Sequence, residues 1–133
     1  MDDDTIFGKI IREEIPATKV YEDEKSLAFL DINPVAKGHI LLIPKDQYEW
    51  MQDVPDELLS HLFIKAKGLM RAMVMGIPCE YVQVSVVGKD VPHFHIHLIP
   101  RKLHDDLHAP LTAYDSPEEM EAFAKKISEQ IGK

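Results

Sequence analysis

Residues 93–100 read His-Phe-His-Ile-His-Leu-Ile-Pro, and this alternation of imidazole with apolar side chain constrains the fold more than any other segment. A period of two belongs to a β-strand, in which successive side chains point to opposite faces. His93, His95 and His97 therefore share one face, and Phe94, Ile96 and Leu98 share the other. Such a strand buries its apolar side in a core and presents a row of imidazoles on the opposite side.

The flanking sequence supplies partners for that strand. Ile6, Phe7, Ile10 and Ile11 at helical spacing predict a helix over residues 5–13, closed by Pro16. Residues 19–21 and 26–30 predict a hairpin turning at 22–25. Asn33-Pro34 through Gly38 punctuates the chain, and 39–43 follows as an apolar strand ended by Pro44. Asp53 is placed to cap a helix with Pro55 in its first turn. Leu58, Leu59, Leu62, Phe63, Ala66, Leu69, Met70 and Met73 give that helix an apolar stripe, and Gly76 with Pro78 ends it. Gly68 inside it costs about 1 kcal/mol against alanine, which predicts another backbone passing close by.

Residues 81–87, rich in valine, predict a central strand. Ser116-Pro117-Glu118-Glu119 is a capping box opening a helix over 117–131, with Met120, Phe123, Ala124, Ile127 and Ile131 on its apolar face. No repeat, low-complexity tract or linker interrupts the chain. The expectation is one antiparallel α+β domain over residues 1–133, with a core at 5–101 and an extension at 102–133.

The formal net charge is 15 − 23 = −8, which disfavours charge-driven binding to nucleic acid or an anionic membrane. Cys79 is the only cysteine, so neither an intrachain disulfide nor a paired-cysteine metal clamp is possible. No apolar stretch approaches the roughly 20 residues that a membrane helix needs. The acidic start, Met1-Asp2-Asp3-Asp4, is unlike a secretory signal, and the cytoplasm is the expected compartment.

Imidazole near neutral pH is both nucleophile and proton carrier, because its unperturbed pKa is about 6.5. Neighbouring imidazoles resist joint protonation, so one stays neutral while another donates a hydrogen bond, which suits transfer at phosphorus. A purely structural row is one alternative. A metal site is the other, with His39, His61, His104, His108 and Asp90 as further donors.

The segment 93–99 resembles the defining motif of the histidine-triad superfamily. Further blocks agree in order: residues 5–11, Ile15-Pro16, 21–24, 28–34, and Gly38 through Lys45. The likeness covers roughly residues 5–101 and is closest to the Hint branch. It implies a HIT-like five-stranded antiparallel sheet with flanking helices, joined to a second copy in a homodimer with a continuous sheet.

It also implies that His95 attacks the α-phosphorus of a purine nucleotide conjugate, forming a nucleotidyl-histidine that water then hydrolyses. His97 serves the phosphate and leaving group, and His93 and His39 orient the nucleophile. The nucleoside pocket maps onto Phe7, Ile10, Phe29, Asp31 and Ile32. Asp31 suits two ribose hydroxyls and the apolar residues suit a base. Core packing, or for Asp31 a turn role, explains the same residues without a ligand.

Two departures stand out. Relatives that hold a structural zinc use Cys-x-x-Cys and a later histidine, where this chain has Thr5, Gly8 and Gln47, so no metal or other cofactor is expected. The loop before the triad, residues 86–92, is short and lacks the usual Asn, Gln and Ser, leaving Gly88 and Lys89 as candidate phosphate contacts. The leading expectation is an adenosine 5'-monophosphoramidase-like hydrolase. Dinucleoside polyphosphate hydrolysis and a nucleotide-binding scaffold with weak catalysis are the alternatives. In the tail after Arg101, His104, His108 and the last helix are expected to cover a sheet edge or the dimer rim rather than to touch substrate.

Overall fold

The apolar runs in the middle of the chain need cover on both sides, and the sheet obtains it. The computed structural model describes residues 5–105, 107 and 110–133; the acidic start Met1–Asp4 and His108 lie outside the described residues. Strands β1 (Lys19–Glu22), β2 (Ser26–Leu30), β3 (Ile40–Pro44), β4 (Tyr81–Ser85) and β5 (Ile96–Arg101) form one antiparallel sheet in the order β1-β2-β3-β5-β4. Helices α1 (Ile6–Ile11), α2 (Asp56–Gly76) and α3 (Pro117–Ser128) pack on it. The architecture is the expected antiparallel α+β, five strands with flanking helices.

Every residue of β2 and β3 is buried, and strand alternation sorts their side chains into two cores. Ala28, Leu30, Ile40 and Leu42 join Phe94, Ile96 and Leu98 against Leu62, Leu69 and Met73 of α2 and Ile127 of α3. Leu27, Phe29, Leu41 and Ile43 instead meet Phe7 and Ile10 of α1. Each fully buried aliphatic or aromatic side chain contributes about 1.5–3 kcal/mol, so the long helices are held by their stripes rather than by propensity. The short α1 covers only part of its sheet face, which leaves room there for a cavity.

Helix starts follow local chemistry. The Thr5 side chain accepts the Gly8 N–H at 3.1 Å, and Ser116 Oγ accepts the Glu119 N–H at 3.1 Å. The Glu119 carboxylate reaches back to the Asp115 N–H at 2.7 Å, one residue earlier than a capping box normally does. α3 ends at Ser128 and residues 129–131 continue as turns, short of the expected 131.

Four further expectations need correction. Asp53 lies in a 3₁₀ turn, Met51–Asp53, and Pro55 occupies the N-cap position of α2 without a side-chain bond. Asp56 and Glu57 in the first turn face the helix dipole instead. Gly68 has nothing within 4 Å of where a Cβ would stand; the close backbone approach is at Gly76. The valine-rich strand is β4 at the sheet's edge, with Tyr81 and Val84 exposed. Lastly, β5 begins at Ile96, because the Phe94 N–H bonds the Tyr48 carbonyl and the His93 N–H turns back to Val91, so neither joins the ladder.

Candidate active site

α1, the 31–39 loop, β3, β4 and β5 enclose a cavity of about 630 Å³, in the range of small-molecule sites. His95, His97 and His39 line it, as do Phe7, Ile10, Phe29, Asp31 and Ile32. His93 does not: it is fully buried beneath the others, with its Nε2 hydrogen-bonded to the Pro44 carbonyl at 2.8 Å.

Hydrogen-bond partners assign the tautomers of the rings. His95 Nδ1 meets the His93 carbonyl at 2.7 Å and must donate to it, which in the neutral ring leaves the lone pair on Nε2. The Phe7 ring stands edge-on to His95 at 5.0 Å between centroids and fixes the imidazole plane. On the other side, the Val35 N–H donates to His39 Nδ1 at 3.1 Å. The proton of His39 is therefore on Nε2, which donates to His97 Nδ1 at 3.0 Å. His97 then carries its own hydrogen on Nε2. A lone pair on one ring and an N–H on its neighbour, 4.9 Å apart between centroids, form a nucleophile–donor pair.

Asp31 fills the turn role and also lines the cavity. Its Oδ1 accepts the Asn33 N–H at 2.9 Å as a turn residue, while Oδ2 lies 3.9 Å from His39 Nε2. Burial pushes its carboxyl above the ordinary value. Asp31, His39 and His97 bring one possible ligand atom each within 4.8 Å of one another. His39 Nε2, however, holds a hydrogen for as long as Nδ1 accepts from Val35, so this set is spent on hydrogen bonds. Of the other metal candidates, His61 pairs with Asp23 at 3.0 Å, and His104 is exposed.

The loop before the triad behaves otherwise than expected. Gly88 packs toward Trp50, and neither Gly88 nor Lys89 lines the cavity. Ser85, Val87, Asp90 and Val91 do. Leu111, in the tail before α3, also reaches the cavity wall. Three contacts explain this: the Thr112 N–H bonds the Pro34 carbonyl, the Gly38 N–H donates to the Tyr114 hydroxyl, and Lys37 pairs with Glu119. Sequence patterning missed Ser85 and Leu111, since only the β4–β5 register and the folding-back of the tail bring them in.

Burial, then the charges on His97, Arg101 and His95, pushes His39 down to about 3. Burial and His95 push His97 down to about 4, against an upward pull from Asp90. Both folded values lie below the ordinary 6.5, so the unfolded chain binds protons that the native fold refuses. Their contribution is complete above pH 6.5 and drains as pH falls toward 4, by up to about 1.4 kcal/mol per pH unit for each histidine. Asp23 and Glu22, held below their ordinary values, enter only below about 4.5, and Asp31 acts in the opposite sense. The melting temperature should therefore drop between pH 6.5 and 4.5, and His39→Asn should flatten the drop; an equal slope in the variant would refute the assignment.

A family model described as HIT domain matches residues 12–104. The chain belongs to the HIT family. An uncharacterised HIT-like protein of Methanocaldococcus jannaschii is 45% identical over 101 residues, 72% of this chain and 78% of that one. An adenosine 5'-monophosphoramidase of Saccharomyces cerevisiae is 44% identical over 101 residues, covering 73% of this chain and 62% of the yeast protein. An adenylylsulfatase of Arabidopsis thaliana is 36% identical over 114 residues, 82% of this chain and 58% of the plant protein. Among solved structures, a Hit-like protein of Bartonella henselae superposes with a TM-score of 0.87 at 33% identity, covering 98% of each chain. A histidine-triad nucleotide-binding protein of Sulfolobus tokodaii gives 0.84 at 29% identity, covering 94% of this HIT chain and 90% of its own.

Proposed function

We propose that this HIT protein is a nucleotide hydrolase that cleaves the P–N bond of purine nucleoside phosphoramidates. The observation that carries the reading is His95: its Nδ1 is tied to the His93 carbonyl, which leaves Nε2 as the nucleophilic nitrogen of a ring lining the cavity. The relatives named for adenosine 5'-monophosphoramidase and adenylylsulfatase activity support it.

In this reading the His95 Nε2 lone pair attacks the α-phosphorus and the P–N bond breaks toward the leaving amine. His97 Nε2–H donates to the phosphoryl group or to the departing nitrogen, and His39 holds it in that tautomer. Water then attacks the nucleotidyl-histidine, releasing the nucleoside monophosphate and restoring His95. The base lies among Phe7, Ile10, Phe29 and Ile32, and Asp31 accepts from ribose hydroxyls. Ile32 is 70% exposed, so a bound base covers apolar surface that the empty site leaves wet. β4, one of the sheet's two outer strands, offers its edge to a second copy and extends the sheet into a dimer. No helix among the described residues is long and apolar enough to cross a membrane, which fits a cytoplasmic enzyme.

The test is intact-protein mass spectrometry after brief acid quenching with an adenosine phosphoramidate. An adenylate adduct on the wild-type chain that is missing in His95→Ala is the expected result. Faster turnover of a dinucleoside polyphosphate would move the substrate assignment, and nucleotide binding with neither adduct nor turnover would overturn the enzyme reading.

A further inference from the structure

The sheet face that carries the cavity also carries a polar string with no part in the chemistry above. Across the β4–β5 ladder Gln83 faces Ile99 and Ser85 faces His97. Arg101 is only 5% exposed, and its Nε donates to Gln83 Oε1 at 2.9 Å. A guanidinium can only donate, so this bond fixes the amide with its oxygen toward Arg101 and its nitrogen toward Ser85. Gln83 Nε2 then donates to Ser85 Oγ at 3.0 Å. A hydroxyl that accepts on this side keeps its own hydrogen for an acceptor elsewhere. Ser85 lines the cavity, in register with His97.

We infer that the Ser85 hydroxyl donates a hydrogen bond to a non-bridging oxygen of the substrate's α-phosphate, and that Arg101 holds it in that role through Gln83. This rests on the phosphoryl-transfer reading above. The site needs such a donor. Gly88 and Lys89 stay out of the cavity, while Asp90 enters it with negative charge. A phosphoryl oxygen also gains charge as the P–N bond breaks, so a donor fixed in advance acts more strongly in the transition state than in the ground state. Ser85 is thus a substrate contact, and Gln83 and Arg101 are positioning residues.

Calorimetric titration with adenosine 5'-monophosphate and with adenosine, paired with steady-state kinetics on an adenosine phosphoramidate, tests this. Ser85→Ala should weaken the monophosphate about tenfold and change adenosine by less than about twofold, and kcat should fall further than KM rises. Ser85→Thr, which keeps the hydroxyl, should restore most of the monophosphate affinity. Gln83→Leu touches no substrate yet should reproduce much of the Ser85→Ala loss, and the double variant should be little worse than Ser85→Ala. Equal weakening of both ligands, or of neither, in Ser85→Ala overturns the inference while wild-type turnover leaves the parent reading standing. A wild-type protein that neither binds the monophosphate nor cleaves the phosphoramidate overturns both.

Discussion

His95→Ala should lower kcat/KM for an adenosine phosphoramidate by at least about 10,000-fold while the protein stays folded and still binds the nucleoside monophosphate. The size follows from what the substitution removes. A nucleophile that forms a covalent bond has no substitute among its neighbours here. His97 Nδ1 is occupied by His39, and its Nε2 carries a hydrogen, so it has no lone pair to offer. His93 lies below the cavity with Nε2 spent on Pro44. Binding survives because the base and ribose contacts come from α1, β2 and the 31–39 loop, none of which rests on the His95 ring except through the edge of Phe7. His95→Asn keeps much of the buried volume and separates chemistry from packing. If both variants retain activity within about tenfold of wild type, the nucleophile is not His95.

Much of this site is written in residues 93–97, for a reason that outlasts an error in the element boundaries. The ladder of β5 begins at Ile96, not at His93, yet the two-residue period still separates Phe94, buried in the main core, from the imidazoles. The facing of the central strands is legible in the same way: 27–30 and 40–44 are apolar throughout because both of their faces are covered. Other features depend on distant pairings that no local pattern encodes. β4 reads as central because valine is common in it, but strand order is decided by which partners remain, and β4 has β5 on one side only. The Val35 N–H that sets the His39 tautomer is a backbone group, present at almost every residue. Its importance comes from the turn that aims it. Leu111 and Tyr114 belong to a tail whose composition says little, and they matter because Pro34 and Gly38 give it partners.

Two glycines of α2 should respond to substitution with opposite signs. At Gly76 an added Cβ would stand 2.3 Å from the Lys126 carbonyl oxygen, 2.9 Å from its carbon and 3.3 Å from Ile127 Cα. All three are backbone atoms of α3, so no side chain can rotate out of the way. The helices must part, and the parting loosens Ala72 and Met73 against Ala124 and Ile127, which are buried in the shared core. Replacing glycine by valine gains at most about 0.5 kcal/mol of helix propensity, but overpacking against rigid backbone costs up to about 3 kcal/mol, and the lost packing adds to that cost. Gly76→Val should therefore lose about 3 kcal/mol in denaturant unfolding, about 10 °C in Tm for a domain of this size. Gly68→Ala, with open space around its Cβ, keeps the propensity gain and should stabilise by up to about 1 kcal/mol. Measured together, the pair separates close approach from flexibility. If Gly76→Val unfolds within about 0.5 kcal/mol of wild type, α2 and α3 do not meet as closely as Gly76 implies, and the seat of the tail that carries Tyr114 and Leu111 to the active site must be redrawn.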